Sequence, residues 1–426
     1  MLASPSVTSE QLPARPPFAL RARLLTPLVA GGTRHEPDGL LLVDAGGRLA
    51  FAGAAAERPG DVATAIDLRP WVILPGMVDL HAHLPQVPSA GLGAGLELLA
   101  WLERYIFPLE RGFDVAAADR LAPVVWRAFA AAGTTTAMVY GAVYEASLDA
   151  TFRAAEAHGI RAIIGKVMMD RLTYDPTIDP NAILERSLRE SATLIERWHG
   201  RDAGRLRYAV TPRFAVSCTA DMLSESAALA ASTGTYWQTH VSEDRAEIAE
   251  VARLFPEALD YVDVYDRAGG LGSRTVLAHG VHLSDRELAR LIETKTHVAH
   301  CPASNLFLAS GVMPLGRFLE AGLSVGLGSD VSGGPDLSIF TEMRVGFYAQ
   351  NAMRVAGRSG GRALGPLDWL RMGTLDGARA LGLDGEIGSL EAGKEADFIV
   401  VDPSYVASVP GAEDNDPVDL MSRLIF

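Results

Sequence analysis

Val72-Ile-Leu-Pro-Gly-Met-Val-Asp-Leu-His-Ala-His-Leu-Pro-Gln86 is an apolar run that ends in two histidines. It predicts a buried strand leading into His81-x-His83. Side chains alternate along a strand, so both imidazoles are expected on one face. Two imidazoles at the end of an apolar strand make a poor core and a good metal site. His-x-His also arises by chance, so the pair needs further ligands from elsewhere in the chain.

Strand-like runs recur over 72–83, 133–140, 161–170, 206–214, 235–243, 275–281, 297–302 and 324–330. Most are continuously apolar, as expected of strands covered on both faces. Helical patterns lie between them, for example 117–132, 184–198 and 285–293, the last with Ser284 as its N-cap. Eight strands alternating with helices predict an α/β fold, a (β/α)8 TIM-like barrel, expected here over 71–384. In that fold the chemistry sits at the carboxyl ends of the strands. Those ends read His81-Ala-His83, Pro212-Arg-Phe214, His240-Val-Ser-Glu243, Ala278-His279-Gly280, His300-Cys-Pro302 and Gly328-Ser-Asp330. Half of the chain's 10 histidines fall there, which chance does not explain.

Outside the barrel the pattern is short and β-like. Phe18 to Leu24 alternates, Leu40 to Asp44 meets a turn at 45–48, and Leu49 to Gly53 follows as a hairpin partner. This sheet is too small to stand alone. Another turn and apolar strand appear at 392–402. Both chain ends are therefore expected to meet in one small β-sandwich domain, from 18–70 and 385–426, with the barrel inserted. Residues 1–17 are rich in Ser and Pro and lack a basic start and an apolar centre. They are expected to be a flexible leader rather than a signal peptide.

The 426 residues suffice for one large domain and a smaller one. A net charge of −14 without a Lys/Arg run argues against nucleic acid or an anionic membrane as partner. No stretch reaches the roughly 20 apolar residues of a membrane span. Cys218 and Cys301 show no sign of pairing, which fits a reducing compartment, and a cytoplasmic location is expected.

His81, His83, His240 and Asp330 offer three nitrogens and a carboxylate. That set suits Zn2+, with Fe2+ and other first-row divalent ions acceptable. Such an ion lowers the pKa of bound water from about 16 toward 7. Asp330 is expected to take the water's proton as well as bind. Glu243, just past His240, is the candidate general acid/base; the alternative is an exposed loop carboxylate. His279 is a candidate to hydrogen-bond either the hydroxide or the developing oxyanion. Asp79 lies on the face of His81 and is a candidate support. Trp101 suits either a pocket cover or the core, and His300, Ser304 and Asn305 suit loop bracing.

The Pro75-Gly-x-x-Asp79-x-His81-x-His83 opening, with His240, His279 and Asp330, resembles the amidohydrolase superfamily. Within it, finer stretches resemble the guanine deaminase family: His83-Leu-Pro-Gln86, Trp101-Leu-Glu-Arg-Tyr-Ile-Phe-Pro-x-Glu110, Gly165-Lys-Val-Met-Met-Asp170, Thr211-Pro-Arg-Phe214 and His300-Cys-Pro-Ala-Ser-Asn305. The likeness runs over about 75–402. It implies one metal held by His81, His83, His240 and Asp330, and a purine gripped by Gln86, Arg213 and Phe214. It also implies attack at C2, with Glu243 protonating N3 and then the departing amine, so that guanine becomes xanthine and ammonia. A homodimer is expected on the same grounds.

Strand four ends in Arg213-Phe214, and the lysines are Lys166, Lys295 and Lys394 alone. The carboxylated lysine that bridges two metals in binuclear relatives therefore has no counterpart, and a mononuclear site is expected. The His-x-Glu and Pro-Cys-x-x-Cys signature of cytidine-type deaminases is absent. Relatives continue beyond the equivalent of Phe426, so the C-terminal part of the small domain is expected to be short. Two other readings stand beside the leading one. One is a mononuclear deaminase or chlorohydrolase of another amino- or halo-substituted heterocycle; the other is a non-catalytic scaffold.

Overall fold

The run that begins at Val72 breaks at Gly76 instead of continuing as the single strand expected. Pro75 has no N–H to extend a ladder, and the Gly76 N–H donates to the carbonyl of Asp397. In this computed structural model, which describes residues 12–172, 178–358, 361–403 and 416–426, fourteen strands follow in chain order. The first four are β1 (Phe18–Pro27), β2 (Thr33–Val43), β3 (Leu49–Ala54) and β4 (Ile66–Pro75). Next come β5 (Met77–His83), β6 (Thr134–Tyr140), β7 (Arg161–Gly165), β8 (Val167–Met168) and β9 (Leu206–Pro212). The last are β10 (Tyr236–Val241), β11 (Thr275–His279), β12 (His297–His300), β13 (Ser324–Leu327) and β14 (Phe398–Val401). Most of the expected leader and part of the expected C-terminal segment (1–11 and 404–415) lie outside the described residues.

Two compact units result, Asp79–Ala363 on one hand and Met1–Val78 with Leu364–Phe426 on the other. In the smaller unit the strands lie in the order β14-β4-β1-β2-β3. Asp44 shapes the β2–β3 turn: its Oδ1 accepts from the N–H groups of Gly46 and Arg48 at 2.8 and 3.0 Å. Gly47 there takes φ +78°, which a side chain would resist. Leu20, Leu24, Leu41, Ile73 and Leu390 form its buried core. Among the described residues this is one sheet. Its helical layer is Pro366–Arg371, packed on β1, and Pro417–Ile425, packed on that helix. Asp416 caps the latter, and Leu420, Met421, Leu424 and Ile425 form its buried stripe.

In the larger unit the barrel strands run β5-β6-β7-β9-β10-β11-β12-β13, with β8 prolonging β7 beside β9. The recorded pairings from β6 onward are parallel. Two backbone hydrogen bonds tie the last strand's end to the first: Asp330 N–H to His81 O at 2.7 Å and His83 N–H to Val331 O at 2.9 Å. Closure of this kind brings residues at the two ends of the barrel sequence side by side. The connecting helices start where local chemistry allows. Ser284 and Glu287, for instance, form a reciprocal capping box at Asp285–Thr294.

Candidate active site

Period-two geometry puts His81 and His83 on the inner face of β5, at its carboxyl end. Nε2 of His83 lies 3.3 Å from Nε2 of His81 and 3.2 Å from Nε2 of His240. Oδ1 of Asp330 lies 3.1 Å from the first of these nitrogens in β5 and 3.4 Å from the second. All four donor atoms fall within 4.8 Å of one another, and all four residues are buried. Burial lowers the pKa of each imidazole, and the mutual proximity of the rings lowers His83 and His240 further. Neutral imidazoles are what a metal requires. The His240 Nδ1–H donates to the Arg213 carbonyl at 2.6 Å, which leaves Nε2 as the lone-pair nitrogen. Burial alone would raise Asp330, but His81, His279 and His83 hold its carboxyl far below the usual range. Three lone-pair nitrogens and one carboxylate converging in a buried site fit a single divalent cation.

The supports come from neighbouring strands. Asp79 Oδ1 accepts from the N–H groups of His81 and Ser329, both at 3.0 Å, and its Oδ2 accepts from the Ser329 hydroxyl at 2.6 Å. The Ser304 hydroxyl donates to Asp330 Oδ2 at 2.6 Å, and Asn305 Oδ1 lies 2.9 Å from His279 Nδ1. These two residues, expected to brace loops, therefore brace site residues directly. Both His279 (φ +74°) and Asp330 (φ +45°) sit in the left-handed region, at a cost of about 1–3 kcal/mol each that surrounding contacts must hold. Gly328 allows the close approach of the last strand to the first. A Cβ there would lie 2.7 Å from His81 Cβ and 3.0 Å from its nitrogen. Gly328→Ala is therefore expected to displace His81, costing about 1–3 kcal/mol of stability and lowering metal occupancy. Elemental analysis checks this, and full occupancy with unchanged stability would refute it.

Glu243 is buried rather than exposed. Its Oε2 lies 3.2 Å from His279 Nε2, and its Oε1 accepts from the Ser310 hydroxyl at 3.2 Å. Burial, with Asp330 and Glu247 nearby, pushes its carboxyl well above the usual range, which favours its protonated form. Two neighbouring carboxyls with oppositely shifted affinities are a division into acid and anion.

A cavity opens over these groups. Gln86, Arg213, Phe214, Trp101, Leu98 and Leu308 line it, together with His83, His240, Glu243, His279 and Asp330. Trp101 thus serves the pocket, with its Nε1–H held by the Leu92 carbonyl at 3.0 Å. Glu110 lies behind the wall: the Gln86 amide donates to its Oε1 at 2.7 Å, and Arg213 forms an ion pair with its Oε2. Its sequence context showed no such role. Arg213 also stacks on Phe107, with Cζ 5.2 Å from the ring centroid. Lys166 turns away from the site toward Glu190 (3.3 Å) and Ser187 (3.4 Å). His300 is buried but does not line the cavity. His199 and His297 serve the backbone of Tyr208 and the hydroxyl of Ser324.

Comparison with known proteins locates the chain. A model of the amidohydrolase family matches residues 72–422. The chain is 41% identical over 374 residues to a probable guanine deaminase of Deinococcus radiodurans, covering 86% of this chain and 83% of that protein. It is 38% identical over 401 residues to the guanine deaminase of Escherichia coli, covering 93% and 88%. Its fold superimposes on the guanine deaminase of C. acetobutylicum, solved with guanine bound in the active site, with a TM-score of 0.87 at 28% identity. That alignment covers 96% of this chain and 95% of the other.

Proposed function

The chain belongs to the amidohydrolase family, and from that premise we propose that it hydrolyses guanine to xanthine and ammonia. The observation that carries this reading is the meeting of two clusters on one cavity. His83, His240 and Asp330 of the four-ligand group line it together with Gln86, Arg213 and Phe214. The named relatives act on, or hold, the purine that such a wall would suit.

His81, His83, His240 and Asp330 would hold one divalent ion, and zinc is the proposed metal because the donor set is nitrogen-rich. When bound, such an ion brings the pKa of a water down to near 7. The chain's own residues do the rest. Phe214 offers a face to the ring and Arg213 donates to its carbonyl, which turns C2 toward the histidines. Glu243 donates its proton to ring N3 as water adds to C2. Asp330 takes one proton from that water; Glu243 collects the other, passes it to the exocyclic amine, which departs as ammonia, and is then re-protonated from Asp330. His279, whose Nδ1–H is held by Asn305 Oδ1, presents Nε2 beside Glu243 to hydrogen-bond the attacking oxygen.

No helix among the described residues is long and apolar enough to cross a membrane, and both cysteines are free and buried. These facts support the cytoplasm as the place of action. A homodimer is proposed from the family resemblance. A panel of purines and amino- or chlorotriazines, followed by ammonia or chloride release from the zinc-loaded protein, is expected to single out guanine. Turnover of a triazine with guanine left intact would overturn the reading, and so would no turnover of any compound.

A further inference from the structure

We propose that Glu110 is a positioning residue that sets which way the Gln86 amide faces, so that the pocket accepts a ring edge carrying C=O beside N–H and rejects one carrying NH2 beside a bare ring nitrogen. The inference rests on the purine reading above and concerns how the same site selects among purines.

Glu110 lies in the helix Phe107–Arg111 and is 0% exposed. Both of its oxygens are engaged, one by the Gln86 amide and the other by the Arg213 guanidinium. A carboxylate in an ion pair only accepts hydrogen bonds, whereas an amide has a donor end and an acceptor end. Gln86 must therefore turn its NH2 toward Glu110, because the reverse orientation would set two acceptor oxygens against each other. Its Oε1 is left buried, without a protein partner among the described residues, on a side chain that lines the cavity. A guanidinium has no acceptor, so whatever Arg213 shows the cavity is a donor. The wall thus pairs an acceptor from Gln86 with a donor from Arg213.

Guanine's N1–H and O6 complement that pair. Adenine's N1 and N6 amine oppose it at both points, and leave buried polar groups unpaired. Sites built to hydrogen-bond one pattern reject its analogue by factors up to about 10⁴–10⁵.

The test uses the metal-loaded full chain and the dissociation constants of hypoxanthine and adenine, which differ in this edge and both lack the 2-amino group. The unaltered protein is expected to prefer hypoxanthine by about 100-fold or more. In Glu110→Gln the new amide can donate to Gln86 Oε1 and release Gln86 to turn. The preference is then expected to shrink by about tenfold or more, the worth of one misdirected hydrogen bond. In the exchange variant Gln86→Glu/Glu110→Gln an acceptor-only group again stands at position 86, with an amide behind it that still accepts from Arg213. The preference is expected to return.

A Glu110→Gln protein that binds both purines more weakly by the same factor, with its preference intact, overturns the inference. If the single variant does not fold, the exchange variant decides: binding the two purines alike, or failing to fold, counts equally against it. Guanine turnover is measured in the same preparation. An unaltered protein inactive on guanine overturns the functional reading. An active one with an unshifted Glu110→Gln preference overturns only the role of Glu110.

Discussion

Glu243→Gln is expected to lower kcat for guanine by about 10²–10⁴-fold, the usual worth of a positioned proton carrier, in a protein that stays folded and metal-loaded. Glutamine matches glutamate in shape and retains an oxygen able to accept from the Ser310 hydroxyl, 3.2 Å away in the native protein. The backbone N–H at this position keeps its bond to Glu247 at 2.9 Å. What it loses is the titratable carboxyl that burial and the nearby Asp330 and Glu247 bias toward its protonated form. An amide cannot pass a proton to a ring nitrogen or to a leaving amine. The measurement is ammonia release against metal content per subunit. A loss under tenfold, or one that follows metal loss, would remove Glu243 from the proton path.

Asp330→Ala is expected to cut activity by a comparable or greater factor, on the order of 10³-fold or more, because the sole anionic donor and the metal are lost together. Here the signature lies in stability as well. A ligand bound only by the folded protein stabilises it by about 2.7 kcal/mol at a hundred times its Kd. Chelation should therefore lower the Tm of the native protein clearly and leave that of Asp330→Ala almost unchanged. The variant also strips Ser304 of its acceptor, while the backbone bond from position 330 to the His81 carbonyl is retained. A variant that keeps its metal and its response to chelation would show that Asp330 is not a ligand.

Much of this molecule is legible in its sequence, for reasons of period and chemistry. The two-residue repeat of a strand is strict, so His81 and His83 had to share a face. Continuous apolar runs had to be covered on both sides, and eight of them between helices leave little choice but a barrel. Ser284 announces its helix because its hydroxyl can satisfy an orphan N–H, and the structure shows that bond. Gly76 was less legible. Val72 to His83 reads as one strand, and only the pairing of β4 with β1 and β14 draws its first half into a separate sheet.

Glu110 marks the limit most clearly. By composition it is one carboxylate near the end of a short helix. Its partners Gln86 and Arg213 stand 24 and 103 positions away, and nothing local signals either contact. The same holds for Ser310 against Glu243, 67 positions apart, and Ser304 against Asp330. Sequence alone determined the barrel, the rim on which chemistry collects and the metal-binding residue types, because these follow from local periodicity and donor chemistry. Tertiary structure alone decided which side chains hold those groups in place and which end of the Gln86 amide meets a ring. Those choices depend on hydrogen bonds that exist only after closure has brought distant strands and helices to about 3 Å of one another.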